Sequence, residues 1–135
     1  MTEPFATEYE TNLANLIKDL RKDLEVPDLK VVVAVSGNWG RELIELKARE
    51  IPKDKMDILL GAQSKVVGAQ LAISKRSQFR GTVAIAETRD LWRPRDEFGG
   101  RGTSEHWMAN GESYWLIADA MGQEMLKLWP GRHVT

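Results

Sequence analysis

No polar residue interrupts the run from Val31 to Val35. A strand with one face in water alternates apolar and polar residues; a strand that is apolar throughout needs cover on both faces, as in a parallel sheet lying between helices. Extended back to Leu29, the run reads as a strand over residues 29–35. Thr82 to Ala86 (Thr-Val-Ala-Ile-Ala) is a second strand of the same kind. The order helix, strand, helices, strand, long loop, helix predicts an α/β layered fold with parallel strands. Two strands alone leave two open edges. The sequence therefore reads as a piece of a larger sheet, or as a half-sheet completed at its open edge by a second copy or another chain.

The helices follow from periodicity. Tyr9, Leu13, Leu16, Ile17, Leu20 and Leu24 recur at three- and four-residue steps, which predicts an amphipathic helix over about residues 8–25. Thr7 to Glu10 has capping-box spacing at its start, and Pro27 opposes continuation past Val26. Ser36 to Gly40 then forms a loop, and Arg41 to Glu50 is a short charged helix candidate closed by Pro52. Met56, Leu59, Leu60, Gln63, Val66, Val67, Gln70, Leu71 and Ser74 make a second long helical stripe, broken by Gly81. Thr88 to Thr103 is rich in Arg, Pro and Gly and reads as an irregular loop. Asn110 suits an N-cap, and Tyr114, Ile117, Ala118, Met121, Met125 and Leu128 form the face of a last helix.

At 135 residues the chain has the size of one domain. Its 19 basic and 20 acidic side chains leave a formal net charge of −1, which gives no electrostatic footprint for nucleic acid or for an anionic membrane. The absence of cysteine removes disulfides, thiol nucleophiles and thiolate metal sites. With two histidines far apart, His106 and His133, there is no metal-ligand spacing either. Nothing in the pattern asks for a cofactor. Met1 to Pro4 has neither a basic n-region nor an apolar h-region, so the expectation is a cytoplasmic protein if the chain is complete, or a targeting segment upstream if it is not.

In open parallel sheets, functional loops gather at the carboxyl ends of the strands. Here those loops are Ser36 to Gly40 and Glu87 to Asn110, and the second carries His106. As the side chain that titrates nearest neutrality, His106 suits general acid–base chemistry; equally, it packs beside Trp107 ahead of the last helix. Asn38, Trp39, Gly40 and Trp107 are the candidate ligand contacts. Trp39 offers a stacking face to a sugar and Asn38 an amide to its hydroxyls, though Trp39 could as well cover the sheet end. Ser36, at a strand exit, is a weak match to a nucleophile elbow, because Ala34-Val35-Ser36-Gly37-Asn38 lacks the flanking glycine pattern.

Four stretches, taken together, resemble one family. They are Tyr9 to Leu24, Val66 to Ala72, Gly81 to Pro94, and His106-Trp-Met-Ala-Asn-Gly-Glu-Ser-Tyr-Trp-Leu-Ile-Ala-Asp-Ala-Met-Gly. They are similar to the carboxyl-terminal half of the sialate O-acetylesterase-like carbohydrate esterases, in the SGNH hydrolase superfamily. The resemblance runs from Tyr9 to Leu128, and its specific part is the His-Trp to Ser-Tyr segment following Glu-Thr-Arg-Asp. It implies a partial three-layer α/β/α, flavodoxin-like sheet with the amino-terminal strands absent. It also implies hydrolysis of acetyl esters on carbohydrates by a serine, with His106 as general base and then general acid.

The same resemblance implies a deficit. The family's Gly-x-Ser nucleophile block and the following oxyanion block would fall before Met1, and Thr103 stands where many members place the aspartate that orients the histidine. Glu87, Asp90, Asp96 and Glu97 are the acids in reach along the sequence. Without a nucleophile, turnover of a Ser-His hydrolase falls on the order of a millionfold. The expectation is thus an esterase half that holds the histidine, set against a non-catalytic, carbohydrate-binding or self-associating half-domain.

Overall fold

The computed structural model describes residues 3–36, 52–93, 107 and 109–129. Helix α1 spans Glu3–Asp23, strand β1 Val31–Ala34, helix α2 Lys53–Ala72, strand β2 Val83–Ala86 and helix α3 Gly111–Lys127. Short 3-10 turns follow α2 at Ile73–Lys75 and Ser77–Phe79, and β2 at Arg89–Leu91. The segment predicted as a charged helix, residues 41–50, lies outside the described residues.

The two strands pair in parallel, with Val31 opposite Val83 and Ala34 opposite Ala86. Val31 N–H donates to the Thr82 carbonyl at 3.0 Å and Val35 N–H to the Ala86 carbonyl at 2.9 Å. In a parallel ladder the hydrogen-bonding residues alternate along each strand. Val31, Val33 and Val35 therefore face β2 with their amides, while Val32 and Ala34 turn theirs outward. Among the described residues the sheet has these two strands, compatible with an α/β fold.

Side chains sort by the same alternation. Val31, Val33, Val83 and Ile85 pack on a core of Ala14, Ile17, Ile73 and Phe79. Val32, Ala34, Ala84 and Ala86 point to the other face, and α3 packs on both strands. Three of those four residues are alanines, which lets the α3 backbone come close.

Helix α1 differs from its prediction in two ways. It begins at Glu3, so Thr7 and Glu10 lie inside it and form no capping box. The Thr7 hydroxyl instead accepts from Lys65 Nζ at 3.3 Å, and Glu10 holds Arg76 at 2.6 Å. Pro4 suits the first turn, where an N–H has no intrahelical partner. The buried stripe is also rotated: Ala6, Ala14 and Ile17 are inside, whereas Leu16, Leu20 and Leu24 are exposed. Ala6 packs on Ala62 and Val66 of α2 and Ala14 on Ile73 and Phe79 beyond it, so close approach favours the small-residue side over the bulkier leucine side.

The end of α1 is a Schellman turn. Val26 N–H donates to the Arg21 carbonyl at 2.9 Å, Glu25 N–H to Lys22 at 3.1 Å, and Glu25 takes φ 55°. From the last turn, Arg21 Nη2 donates to the Leu29 carbonyl at 3.1 Å and to Thr82 Oγ1 at 2.7 Å. Its guanidinium lies 5.4 Å from the Phe79 ring centroid. Arg21 thereby ties the helix to the starts of both strands.

Helix α3 shows a one-residue rotation of the same sort. Ser113 and Leu128 are buried and Ile117 and Met121 half-buried, but Tyr114 and Ala118 lie outside. A helix of good residues on both sides of its stripe leaves the sequence unable to choose; the alanine-lined sheet face decides.

Candidate functional site

The carboxyl ends of both strands are fastened to each other and to the helices. Thr88, fully buried, donates its hydroxyl to the Val35 carbonyl, so the exit of β2 is held against the exit of β1. Ser36 N–H, the next outward-facing amide of β1, donates to Gln70 Oε1 at 2.8 Å. Gln70 is itself buried, and its Nε2 donates to the Tyr9 hydroxyl at 2.9 Å. One amide thus satisfies the strand exit and anchors it to α1. Burying an amide this way is favourable only because both of its ends are paired.

Beyond β2 the chain is charged and ordered by arginines. Arg89 is held by Glu87 through Nε at 2.8 Å and Nη2 at 2.5 Å, a two-pronged contact of the kind guanidinium geometry favours. Hydrogen bonding to Glu87 raises the Arg89 pKa, against a smaller opposing effect of burial. Arg93 donates to Glu112 at 3.1 Å and to the carbonyls of Asp90 and Trp92 at 3.3 and 3.0 Å. Glu112 is in the first turn of α3, so this exposed contact joins the amino end of α3 to the segment leaving β2.

That amino end is built with care. Asn110 is the N-cap, its Oδ1 accepting from Ser113 N–H at 3.0 Å. Asn110 N–H donates to the Trp107 carbonyl at 3.0 Å. Trp107 and Ala109 both adopt left-handed backbone, at φ 52° and 53°, a conformation that costs a non-glycine residue roughly 1 kcal/mol or more. Strain of this kind persists where the surroundings fix it, and it gathers at functional turns. Trp92 Nε1 and Ser113 Oγ are buried in the same region without a hydrogen-bond partner among the described residues.

The sequence-predicted residues fall as follows. Ser36 is half-buried at the exit of β1, and Trp107 is half-buried in the strained turn before α3. Asn38, Trp39, Gly40, Thr103 and His106 lie outside the described residues, as do Asp96 and Glu97. Of the acids considered for His106, Glu87 is engaged by Arg89. The strand exits and the turn bearing Trp107 are brought to one end of the sheet by Thr88, Arg93 and Glu112. Sequence reasoning missed Gln70, Thr88 and Arg93 as the fasteners of this end. Gln70 on a mostly apolar helical stripe was the available signal, since a buried amide must find partners.

Among the described residues no group of three or more His, Asp or Glu is placed to hold a metal ion, and no helix is long and apolar enough to cross a membrane. No family model, curated protein or solved structure matches the chain.

Proposed function

We propose that this chain is the carboxyl-terminal part of a carbohydrate O-acetylesterase, with His106 as its general base. The observation that supports this reading is the Arg93–Glu112 contact at 3.1 Å. It joins the first turn of α3, which packs on both strands, to the segment leaving β2 at the carboxyl ends of the parallel strands, the end where open α/β sheets carry their ligands. His106 immediately precedes Trp107 in the sequence, and in this reading it is the base of a site at the strand exits.

In this reading His106 accepts the proton of a serine hydroxyl as its oxygen attacks the acetyl carbon. The same imidazolium returns the proton to the departing sugar oxygen, and water then releases acetate from the acyl-serine by the same two proton transfers. Trp107, with Asn38, Trp39 and Gly40 after β1, lines the sugar side. The nucleophile is the serine of a Gly-x-Ser block on polypeptide preceding Met1.

The test is hydrolysis of an aryl acetate and of acetylated sugars. This chain alone is expected to hydrolyse no faster than its His106→Ala variant. Polypeptide that includes the Gly-x-Ser block is expected to be active and to lose on the order of a millionfold in turnover with His106→Ala. Undiminished activity of that variant would sink the reading. So would hydrolysis by this chain alone that disappears with Ser36→Ala.

A further inference from the structure

The side of α3 turned away from the sheet carries an ordered apolar stripe. Trp115 is 67% exposed, Leu126 50% and Trp129 56%, and Ala118 and Gly122 are exposed between them. These positions recur at three- and four-residue steps, so they form one line along the helix. It lies opposite the inward line of buried Ser113 and Leu128 and half-buried Ile117 and Ala120. Trp129 stands just past the helix end, but Leu128 is still right-handed helical and Trp129 N–H donates to the Leu126 carbonyl at 3.1 Å. The line therefore continues through it.

The spacing of the stripe is symmetric about Gly122. Trp115 and Trp129 are equally far from it on either side, and Ala118 and Leu126 likewise. When two such helices cross antiparallel at Gly122, the tryptophan of each faces the other tryptophan of its partner, and each Leu126 meets an Ala118. The two glycines meet at the centre, where a Cβ placed on Gly122 has nothing within 4 Å in the single chain. Large faces small and ring faces ring, which is what a two-fold, self-complementary interface requires.

We infer that the outer face of α3 is a homodimer interface, with a second copy of this chain crossing antiparallel over Gly122. The area suffices for a weak dimer. Tryptophans of up to about 250 Å² each, exposed to this degree, give ~300 Å² per copy. With Leu126, Ala118 and the flanking side chains, two copies bury roughly 1,000 Å² in total, at the threshold of specific association. This is a different surface from the open edge of the sheet, and it does not depend on the esterase reading.

The absence of cysteine makes a direct test simple. Sedimentation equilibrium of the chain is expected to show a concentration-dependent dimer, weakened at least a hundredfold by Trp115→Ala, since the change removes two aromatic anchors at once, one from each copy. In parallel, Gly122→Cys is expected to form a disulfide-linked dimer under mild oxidation, because the paired positions then lie within the Cα separation a disulfide spans. Lys18→Cys, exposed on α1, serves as the control and is expected to remain uncrosslinked. A monomer at every accessible concentration overturns the proposal. A dimer unaffected by Trp115→Ala, with no more crosslinking at residue 122 than at residue 18, overturns it too and moves the interface elsewhere, the open sheet edge being the first place to look.

Discussion

Gln70 Oε1 accepts the Ser36 N–H at 2.8 Å, so a helix side chain closes the edge of a strand where the next strand would otherwise bond. The amide also reaches Tyr9 through its other end. It is the point at which α1, α2 and β1 share one polar contact in an apolar setting.

Replacing Gln70 by Leu is expected to destabilise the fold by about 2 kcal/mol, because it leaves a backbone donor and a phenol unpaired at once. Tyr9→Phe removes one bond and is expected to cost about 1 kcal/mol. Denaturant unfolding of both single variants and the double measures this. The double variant should cost less than the sum, since the two residues act on one bond; simple additivity would contradict the shared network.

Thr88→Val keeps the shape and removes only the hydroxyl that holds the Val35 carbonyl. The expected loss is ~1–2 kcal/mol, concentrated at the strand exits. Hydrogen exchange should quicken at Val35 and at Ser36, and much less at Val31. Uniform quickening along β1 would show that Thr88 supports the whole sheet and not that end.

Glu25 occupies the left-handed position of the turn that ends α1, at φ 55°. Glycine carries no steric penalty there, so Glu25→Gly is expected to raise stability by about 1 kcal/mol, a gain of a few degrees in Tm. Ala109→Gly, at φ 53° before α3, is expected to gain a similar amount by the same mechanism. The two turns share no hydrogen-bond partner, so the double variant should gain the sum. Loss of stability at either site would contradict the backbone assignment.

Arg21 links α1 to the starts of both strands through Leu29 and Thr82 and stacks on Phe79. Arg21→Met retains the apolar stem but none of the donors. The expected cost is ~2 kcal/mol, larger than for Arg76→Met, which loses one half-buried carboxylate partner, Glu10, where Arg21 loses two partners and its ring contact. Equal costs in thermal or urea unfolding would count against Arg21 as the stronger tie.

The apolar runs at 31–35 and 82–86 predicted two parallel strands, since strands apolar on both faces suit a sheet lying between helices, although Val31 to Ala34 are each only half-buried. The helices were legible as helices but their orientation was not. In the first helical stripe the leucines at 16, 20 and 24 outweigh the alanines at 6 and 14 in any hydrophobic reading, yet the alanines are inside, Ala6 against α2 and Ala14 against Ile73 and Phe79. In α3 the shift from Tyr114 to Ser113 has the same origin, in a sheet face lined by alanine. At the candidate site, the position of Trp107 at the strand exits follows from helix order alone. The fasteners Gln70, Thr88 and Arg93 do not, since each bonds a residue distant in sequence that periodicity cannot pair.

The register that sets Val31 against Val83 also governs how this chain reaches its fold. The first ladder bond closes a loop of roughly fifty residues, and the entropy of that closure is spent before any strand contact repays it. During synthesis β1 emerges long before its partner and waits with its valines uncovered, able to pair with any extended segment nearby. The helices on either side of β1 need no such closure, and the packing of α1 on α2 uses only residues made before β2.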